Sequence, residues 1–275
     1  MTIIRADYRF LAALTVAAIA APSAYFVSHA QTPPQVPART IACSAPAELT
    51  KFNRPLARTA RLLSAGKPIT IVALGSSSTA GAGASSPAAT YPSRLEADLK
   101  QAFPLGNIHV LNRGINGVEV RDVLEKLDQG MSADKPDLVL WQLGTNSLLR
   151  DRALADSSER IGQGLAKLKK TGVDAILINP QYAPKVIAKP EVGHMVELIA
   201  KFAQQANINV FDRYAVMKYW RVSQNIPFGE FISPDELHMN DWSYACTAKL
   251  LANAIKEAAT RPAQTATSAP AVHPR

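Results

Sequence analysis

Five short runs dominated by apolar residues recur along the middle of the chain, and each has the length of a buried β-strand. The first, Ile69-Thr-Ile-Val-Ala-Leu74, carries no charge and stops at Gly75. Successive residues of a strand face opposite sides of the sheet, so a run that is apolar at nearly every position is typical of a strand covered on both faces, as in a parallel sheet. The pattern predicts strands at positions 69–74, 107–111, 137–143, 174–178 and 208–211.

Helical patterns separate these runs. In the segment 92–103, Leu95, Leu99 and Phe103 recur at a spacing that places them on one face of a helix. Further helices are predicted at positions 118–127, 156–170, 191–206 and 240–257, and within 47–64, where Pro55 interrupts the pattern. Strands that alternate with helices predict an α/β fold. We expect a single domain with three layers, α/β/α, around a doubly wound, flavodoxin-like parallel sheet of about five strands.

The first 30 residues have the pattern of a secretory signal peptide. Arg5 and Arg9 precede an apolar run at 10–27, and Ser28-His-Ala30 offers small residues at a cleavage point. The run approaches the ~20 residues that cross a bilayer, so an uncleaved anchor is the alternative, and Pro22 argues against it. We therefore expect export to the periplasm or the outside of the cell, without stable membrane insertion after cleavage.

The composition of the remaining chain predicts one folded domain between two irregular segments. Residues 31–42 are rich in proline, which predicts a linker. Residues 260–275 are mostly Pro, Ala, Thr and Ser without periodicity, which predicts a disordered tail. Residues 43–259 remain for the folded domain, and this length suffices for one hydrophobic core.

The chain is basic, with 30 Lys and Arg residues against 22 Asp and Glu residues and a formal net charge of +8. Loss of residues 1–30 removes Arg5, Arg9 and Asp7, two positive charges and one negative, which leaves +7. Such a balance suits an anionic polysaccharide or a membrane surface. Because the basic residues are scattered and form no stripe, we do not expect a nucleic-acid partner.

Two cysteines, Cys43 and Cys246, lie near the two ends of the predicted domain. An even number of cysteines in an exported protein predicts a disulfide bond, here between the start of the domain and its last helix. Two buried free thiols are the alternative.

Polar residues follow three of the predicted strands. They form the segments Gly75-Ser-Ser-Ser-Thr79, Asn112-Arg-Gly114 and Gly144-Thr-Asn-Ser147, and a fourth polar segment lies at 233–241. The carboxyl ends of parallel strands meet at one edge of the sheet, where ligands bind in α/β folds. We therefore expect these segments to form one site.

These segments contain a candidate for each group that acyl transfer requires, namely a nucleophile, a base, a group that orients the base, and donors for the oxyanion. The first segment supplies serine hydroxyls. Asp235 and His238 are three positions apart, so that one turn can bring the carboxylate to the imidazole. The backbone N–H of Gly114 and the side-chain amide of Asn146 are candidate oxyanion donors.

Four sequence blocks, in order, resemble those of the SGNH, or GDSL-type, hydrolases. Gly75-Ser-Ser77 resembles the Gly-Asp-Ser block, and Asn112, Gly114 and Gly117 match Asn-x-Gly-x-x-Gly. The last two blocks, Gly-x-Asn and Asp-x-x-His, are matched by Gly144-Thr-Asn146 and Asp235-Glu-Leu-His238. The chain departs from the family at Ser76 and Ser147, where aspartate is usual.

The resemblance implies a serine esterase in which Ser77 is the nucleophile, His238 the base and Asp235 the residue that orients it. It further implies an oxyanion hole of Ser77, Gly114 and Asn146, and it requires no metal or organic cofactor. Export, positive charge and the absence of a long apolar lid loop favour short acyl groups, acetyl above all, on carbohydrate. A lipase, a thioesterase, an O-acyltransferase and an inactive glycan-binding relative are the alternatives.

A dinucleotide-binding domain is a further alternative, because glycines follow the first strand. Gly81-Ala-Gly-Ala-Ser-Ser86 lacks the third glycine of a dinucleotide-binding loop, and no acid for a ribose follows the second strand.

His109 lies within a predicted strand and His194 on a predicted helix, so neither is expected to be the base. We expect Asp241 in the first turn of the last helix. We expect Ser76 and Ser78 to form hydrogen bonds within a loop or at a helix cap.

Overall fold

The computed structural model describes residues 41–261, apart from the side chains at positions 125, 126 and 128–130. The predicted signal peptide 1–30, nearly all of the linker 31–42 and the tail beyond Arg261 lie outside the described residues, and they stay predictions. None of the helices in the described range has both the length and the apolar character that crossing a membrane requires.

Five strands form one sheet in the order β2-β1-β3-β4-β5, and every adjacent pair is parallel. The strands are β1 (Ile69–Gly75), β2 (Ile108–Gly114), β3 (Leu138–Gln142), β4 (Asp174–Ile178) and β5 (Asn209–Phe211). This strand order is that of flavodoxin-like, doubly wound sheets. The predicted fold class is therefore confirmed.

Helices cover both faces of the sheet. They are α1 (Ala47–Thr50), α2 (Ala57–Ser64), α3 (Ser77–Ala80), α4 (Tyr91–Ala102), α5 (Val120–Asp134), α6 (Thr145–Leu149), α7 (Leu154–Thr171), α8 (Pro184–Ile187), α9 (Val192–Ala206), α10 (Arg213–Val222), α11 (Phe228–Phe231) and α12 (Asp241–Thr260), with one 3₁₀ turn at Pro87–Ala89. Helix α12 packs against α2 and α4, whereas α7 packs against α5 and α9. The two groups are the outer layers of the α/β/α arrangement.

The structure differs from the sequence prediction mainly at β2, α5 and α10. Helix α5 was expected to end at position 127, but it continues to Asp134. Strand β2 was expected to end at position 111, but it pairs with β1 residue by residue as far as Gly75 and Gly114. Helix α10 was not predicted, although Val216, Met217 and Trp220 are buried at helical spacing. The remaining buried position of α10 is Arg213, and a charged residue at a core position obscures the apolar pattern that predicts such a helix.

The centre of the core lies at β3, in which all five residues are buried. Trp141 packs against α7 at Gly164, where a Cβ atom would lie 2.2 Å from the indole ring. A side chain larger than hydrogen at position 164 would therefore separate the helix from the sheet. This contact holds the middle strand of the sheet firmly beneath the segments that follow the strands.

A disulfide bond joins Cys43 to Cys246, as predicted. Cys246 is buried within α12, and Cys43 belongs to the segment that precedes α1. The bond links residues 203 positions apart and so ties the start of the domain to its last helix.

Reduction of this bond should lower the free energy of unfolding by about 2–4 kcal/mol, because the oxidised unfolded chain has less conformational entropy. Urea unfolding, followed with and without reductant, measures the difference. The double variant Cys43→Ser/Cys246→Ser is the control, and its unfolding should not respond to reductant. Equal midpoints for the oxidised and the fully reduced wild type would contradict the prediction.

Candidate active site

The carboxyl ends of β1, β2 and β3 bring three of the predicted site segments to one edge of the sheet. Helix α3 begins with Ser77, two residues after β1 ends, and α6 begins one residue before Asn146. Gly114 is the last residue of β2. The parallel register of the strands therefore collects segments that are distant in the chain.

Ser77, His238 and Asp235 form a continuous chain of hydrogen bonds. The Nε2 atom of His238 lies 2.8 Å from the Oγ atom of Ser77, although the two residues are 161 positions apart. The Nδ1 atom of His238 is hydrogen-bonded to the Oδ2 atom of Asp235. The structure thus brings together the nucleophile, the base and the orienting residue expected from the sequence.

A tight turn between α11 and α12 carries both Asp235 and His238. The Oδ1 atom of Asp235 accepts hydrogen bonds from the backbone N–H groups of Leu237 and His238, at 3.0 and 2.9 Å. The turn is closed by a bond of 2.8 Å from the N–H of Ser233 to the carbonyl of His238. The carboxylate and the imidazole are therefore held by the same few residues, which we call the base loop (residues 233–239).

The environment of Asp235 favours its charged form. Burial alone would raise the pKa of this carboxyl, but hydrogen bonds from the His238 side chain and from two backbone N–H groups outweigh it and lower the pKa. A carboxylate on the Nδ1 side requires that Nδ1 carry the proton. The Nε2 atom is then the acceptor that faces the Ser77 hydroxyl.

Gln142, the last residue of β3, holds the segment that contains Ser77 through the residue before it. Its Oε1 atom accepts hydrogen bonds from the N–H and the hydroxyl of Ser76, at 2.8 and 3.0 Å. Ser76 occupies the position before α3, but its side chain does not cap the helix, so the helix-cap alternative is wrong for this residue. Its hydroxyl binds Gln142 instead, and the other predicted hydrogen-bonder, Ser78, is buried within α3.

Two of the three predicted oxyanion donors are engaged in this structure. The N–H of Gly114 donates to the Oδ1 atom of Asn112 at 2.9 Å, and the Nδ2 atom of Asn146 donates to the carbonyl of Val118 at 2.7 Å. A second Nδ2 proton of Asn146 remains, and the N–H of Ser77 lies in the first turn of α3, where no intrahelical acceptor exists. The oxyanion role of all three residues stays a prediction.

Residues 75–85 carry Ser77, and we call them the nucleophile segment. Close backbone contacts at two glycines bring this segment against its neighbours. A Cβ atom on Gly114 would lie 2.1 Å from the nitrogen of Ala80, so that only glycine lets α3 pack on β2. A Cβ atom on Gly83 would lie 2.4 Å from the carbonyl oxygen of Met239 and 3.0 Å from the Cβ atom of His238. The second contact holds the segment after α3 directly against the base loop.

Side chains from α12 reinforce this contact. Asp241, which lies in the first turn of α12 as predicted, accepts hydrogen bonds from the N–H and the hydroxyl of Ser85. These bonds lower the pKa of Asp241. The hydroxyl of Tyr244 donates to the carbonyl of Ala82 at 2.7 Å. The helix that follows the base loop therefore also binds the nucleophile segment.

Gln181, which follows β4, connects the base loop to the segment of Asn146. Its Oε1 atom accepts from the hydroxyl of Thr145 at 2.9 Å and from the Nη2 atom of Arg213 at 3.0 Å. Because two donors occupy the oxygen, the amide nitrogen must face the opposite way, and it donates to the carbonyl of Leu237 at 3.1 Å. Arg213 thereby fixes the orientation of an amide that holds the residue next to His238.

Arg213 is fully buried, and its guanidinium binds carbonyl oxygens of Gln181 and Asn179 instead of a carboxylate. Burial lowers its pKa to about 10, so that it stays charged near neutral pH. The sequence analysis identified none of Gln142, Gln181 and Arg213. A polar amide at the end of a buried strand, or within three positions after it, was the available indication for the two glutamines.

The other histidines weighed for the site lie elsewhere. His109 is exposed on β2, and His194 lies on α9 with its Nδ1 atom 2.9 Å from a Glu191 oxygen. In the part of the chain that the structure describes, no group of three or more His, Cys, Asp or Glu side chains is arranged to hold a metal ion.

Solved structures share this fold. A two-domain esterase (CEX) active on acetylated mannans aligns with a TM-score of 0.66 and 21% identity over 82% of this chain and 60% of that chain. This chain thus spans 60% of that esterase. A catalytic mutant of an acetylxylan esterase from Geobacillus stearothermophilus gives a TM-score of 0.59 and 18% identity over 68% and 94% of the two chains.

A lipase/acylhydrolase from Enterococcus faecalis is 26% identical, with a TM-score of 0.58, over 68% of this chain and 95% of that chain. No curated protein matches the chain. The model of the non-GDSL lipase-like family matches residues 42–261. The predicted resemblance to SGNH-type hydrolases is confirmed at the level of fold and family, and the chain belongs to the non-GDSL lipase-like family.

Proposed function

We propose that this protein is an exported serine esterase in which Ser77, His238 and Asp235 form the catalytic triad. The observation that carries the proposal is the hydrogen-bonded chain from the Ser77 hydroxyl through both ring nitrogens of His238 to the Asp235 carboxylate. Membership of a lipase-like family supports ester bonds as the target. Export rests on the predicted signal peptide and is supported by the disulfide bond, since such bonds persist in oxidising compartments.

The first chemical step is attack of the Ser77 oxygen on the ester carbonyl. As the new C–O bond forms, the hydroxyl proton passes to the Nε2 atom of His238, which lies 2.8 Å away. The imidazole becomes positively charged, and the Asp235 carboxylate stabilises that charge at the Nδ1 side. The lowered pKa of Asp235 keeps this carboxylate ionised.

The carbonyl oxygen becomes an oxyanion during the attack and requires hydrogen-bond donors. We assign the N–H of Ser77 and the second Nδ2 proton of Asn146 to this role. The N–H of Gly114 joins them when Asn112 releases it, because the Asn112 oxygen accepts that N–H in this structure. Each such donor is typically worth about 3 kcal/mol of transition-state stabilisation.

Collapse of the tetrahedral intermediate expels the alcohol, which takes the proton held on His238. The acyl group then remains on the Ser77 oxygen. Water attacks this acyl-enzyme while His238 again removes a proton, and the products are a free acid and the restored Ser77 hydroxyl. The steps use only side chains and backbone groups of this chain, so the proposal assigns no cofactor.

Acyl esters of carbohydrates are the proposed substrates, with acetyl esters as the first to examine. Structures similar in fold include an esterase active on acetylated mannans and an acetylxylan esterase. The formal charge of +7 that remains after loss of residues 1–30 favours adsorption to anionic polysaccharide. Both observations support a glycan as the alcohol part of the ester.

The variants Ser77→Ala and Asn146→Ala test the mechanism with p-nitrophenyl acetate. Ser77→Ala should lower kcat by at least about 10⁴-fold, because it removes the nucleophile. Asn146→Ala should lower kcat by about 10²- to 10³-fold, since it removes one oxyanion donor. His238→Ala removes the proposed base. Its matched control is His194→Ala, which removes an exposed histidine on α9. Equal rates for the wild type and Ser77→Ala would refute the esterase proposal.

Acetate release from acetylated mannan and acetylated xylan tests the substrate class. We expect the wild type to release acetate from at least one of these polysaccharides and Ser77→Ala to release none, because the triad acts on either alcohol part. Enzymatic quantification of acetate is the measurement. If p-nitrophenyl acetate is hydrolysed but neither polysaccharide is deacetylated, the glycan proposal fails and the esterase proposal stands.

The variant Gln181→Glu tests whether Gln181 positions the base loop. The change keeps oxygen acceptors for Thr145 and Arg213 but replaces the donor to the Leu237 carbonyl with an oxygen. We expect kcat to fall about fivefold, the equivalent of one hydrogen bond of about 1 kcal/mol. The free energy of unfolding should fall less than in a variant that removes the acceptor oxygen, because the carboxylate still accepts from Arg213 and Thr145.

Gln181→Leu is the matched control, because it leaves both the Arg213 and the Thr145 donors without their acceptor. Its free energy of unfolding should fall by about 1–3 kcal/mol. Urea unfolding and steady-state kinetics distinguish the two variants. An unchanged kcat in Gln181→Glu would show that the bond to Leu237 does not position His238.

A further inference from the structure

A cavity of about 480 Å³ lies between the end of β2 and helix α5. Its volume falls within the range of about 300–1,000 Å³ that is usual for small-molecule sites. Most of the described side chains that line it are apolar, namely Leu74, Ile115, Val118, Val123 and Ala133. Neither the sequence analysis nor the proposed mechanism gives this cavity a role.

The cavity adjoins the proposed oxyanion donors. Gly75 and Gly114, the paired last residues of β1 and β2, line it, and Ser77 follows Gly75 by two positions. A smaller cavity of about 10 Å³ is lined by Ser76 and Asn146 and shares Val118 and Val123 with the larger one. Ser77 itself lines neither cavity, but apolar space lies beside its neighbours Gly75 and Ser76 and beside the proposed donor Gly114.

The charged side chains in the lining are already paired. Arg113 donates to both carboxylate oxygens of Asp134, at 2.8 and 2.7 Å, and a hydrogen bond from Arg113 lowers the pKa of Asp134. Asp122 accepts the N–H of Glu119 at 2.7 Å, and its other carboxylate oxygen lies 3.8 Å from the Nε atom of Arg121. With its charges neutralised internally, the cavity offers little to an anionic ligand or to the hydroxyls of a sugar.

We propose that this cavity binds the acyl chain of the ester substrate. The proposal rests on the proposed esterase function and refines it, because the preferred acyl group is then longer than acetyl, in the range of hexanoyl to octanoyl. Each methylene transferred from water to an apolar wall favours binding by about fourfold. The sugar or other alcohol part would remain on the solvent side of Ser77.

A series of p-nitrophenyl acetate, butyrate, hexanoate and octanoate tests the proposal. The wild-type kcat/KM should rise by about fourfold for each methylene that enters the cavity. Val123→Phe places a ring in the space, and the ratio of kcat/KM for octanoate to that for acetate should fall by at least about tenfold. Val222→Phe is the matched control at an exposed position of α10, and it should keep the wild-type ratio.

Ile115→Trp is a second variant that narrows the cavity from its partly exposed side, in case Val123→Phe does not fold. It should lower the same ratio. The proposal is overturned if Ser77-dependent activity declines steadily from acetate to octanoate, or if both variants keep the wild-type ratio. If no ester of the series is hydrolysed in a Ser77-dependent manner, the proposed function itself is refuted, and the acyl site with it.

Discussion

The contact between the nucleophile segment and the base loop is the constraint on which the rest of the site depends. A bond of 2.8 Å between Ser77 and His238 tolerates little displacement, and the two residues come from opposite ends of the domain. Gly83 lets the two segments touch at the backbone, while Asp241 and Tyr244 bind the nucleophile segment from the helix that follows the base loop. The proposed triad is therefore held by both of its chain segments.

Buried amides extend this constraint into the sheet. Gln142 binds the nucleophile segment from the end of β3, and Gln181 binds the base loop from the end of β4. Buried polar groups are costly without partners. Here the Gln142 oxygen accepts from Ser76, and the Gln181 oxygen accepts from Thr145 and Arg213. The two segments that carry the proposed triad thus contact the ends of buried strands, an arrangement that suits the proton transfer of the proposed mechanism.

The segment at 112–118 connects the oxyanion donors with the apolar cavity. Asn112 holds the N–H of Gly114, and the carbonyl of Val118 holds the amide of Asn146, while both Asn112 and Val118 line the cavity. In the proposed mechanism, an acyl chain that enters the cavity contacts the residues that occupy these donors. The proposed acyl site and the proposed oxyanion donors therefore share the same few residues.

Local pattern was sufficient to predict the five strands, most of the longer helices and the order of the four polar segments. Each of these features depends on a short stretch, because burial on both faces, helical periodicity and the glycine at a strand end are visible in neighbouring residues. The pairing of Asp235 with His238 was predictable for the same reason, since one turn holds both residues. The disulfide bond followed from the number and placement of the cysteines.

Only the tertiary structure decided the partners of residues that are distant in the chain. The bonds of Arg213 to Gln181 and of Gln142 to Ser76 join residues 32 and 66 positions apart, and no local pattern indicates such pairs. Helix α10 was missed because its buried arginine resembles a surface residue in the sequence. The engaged state of Gly114 and Asn146 and the cavity beside them likewise result from how β2, α5 and α6 pack together. The sequence therefore determined which chemical groups this protein presents, and the packing of distant segments decided their distances and orientations.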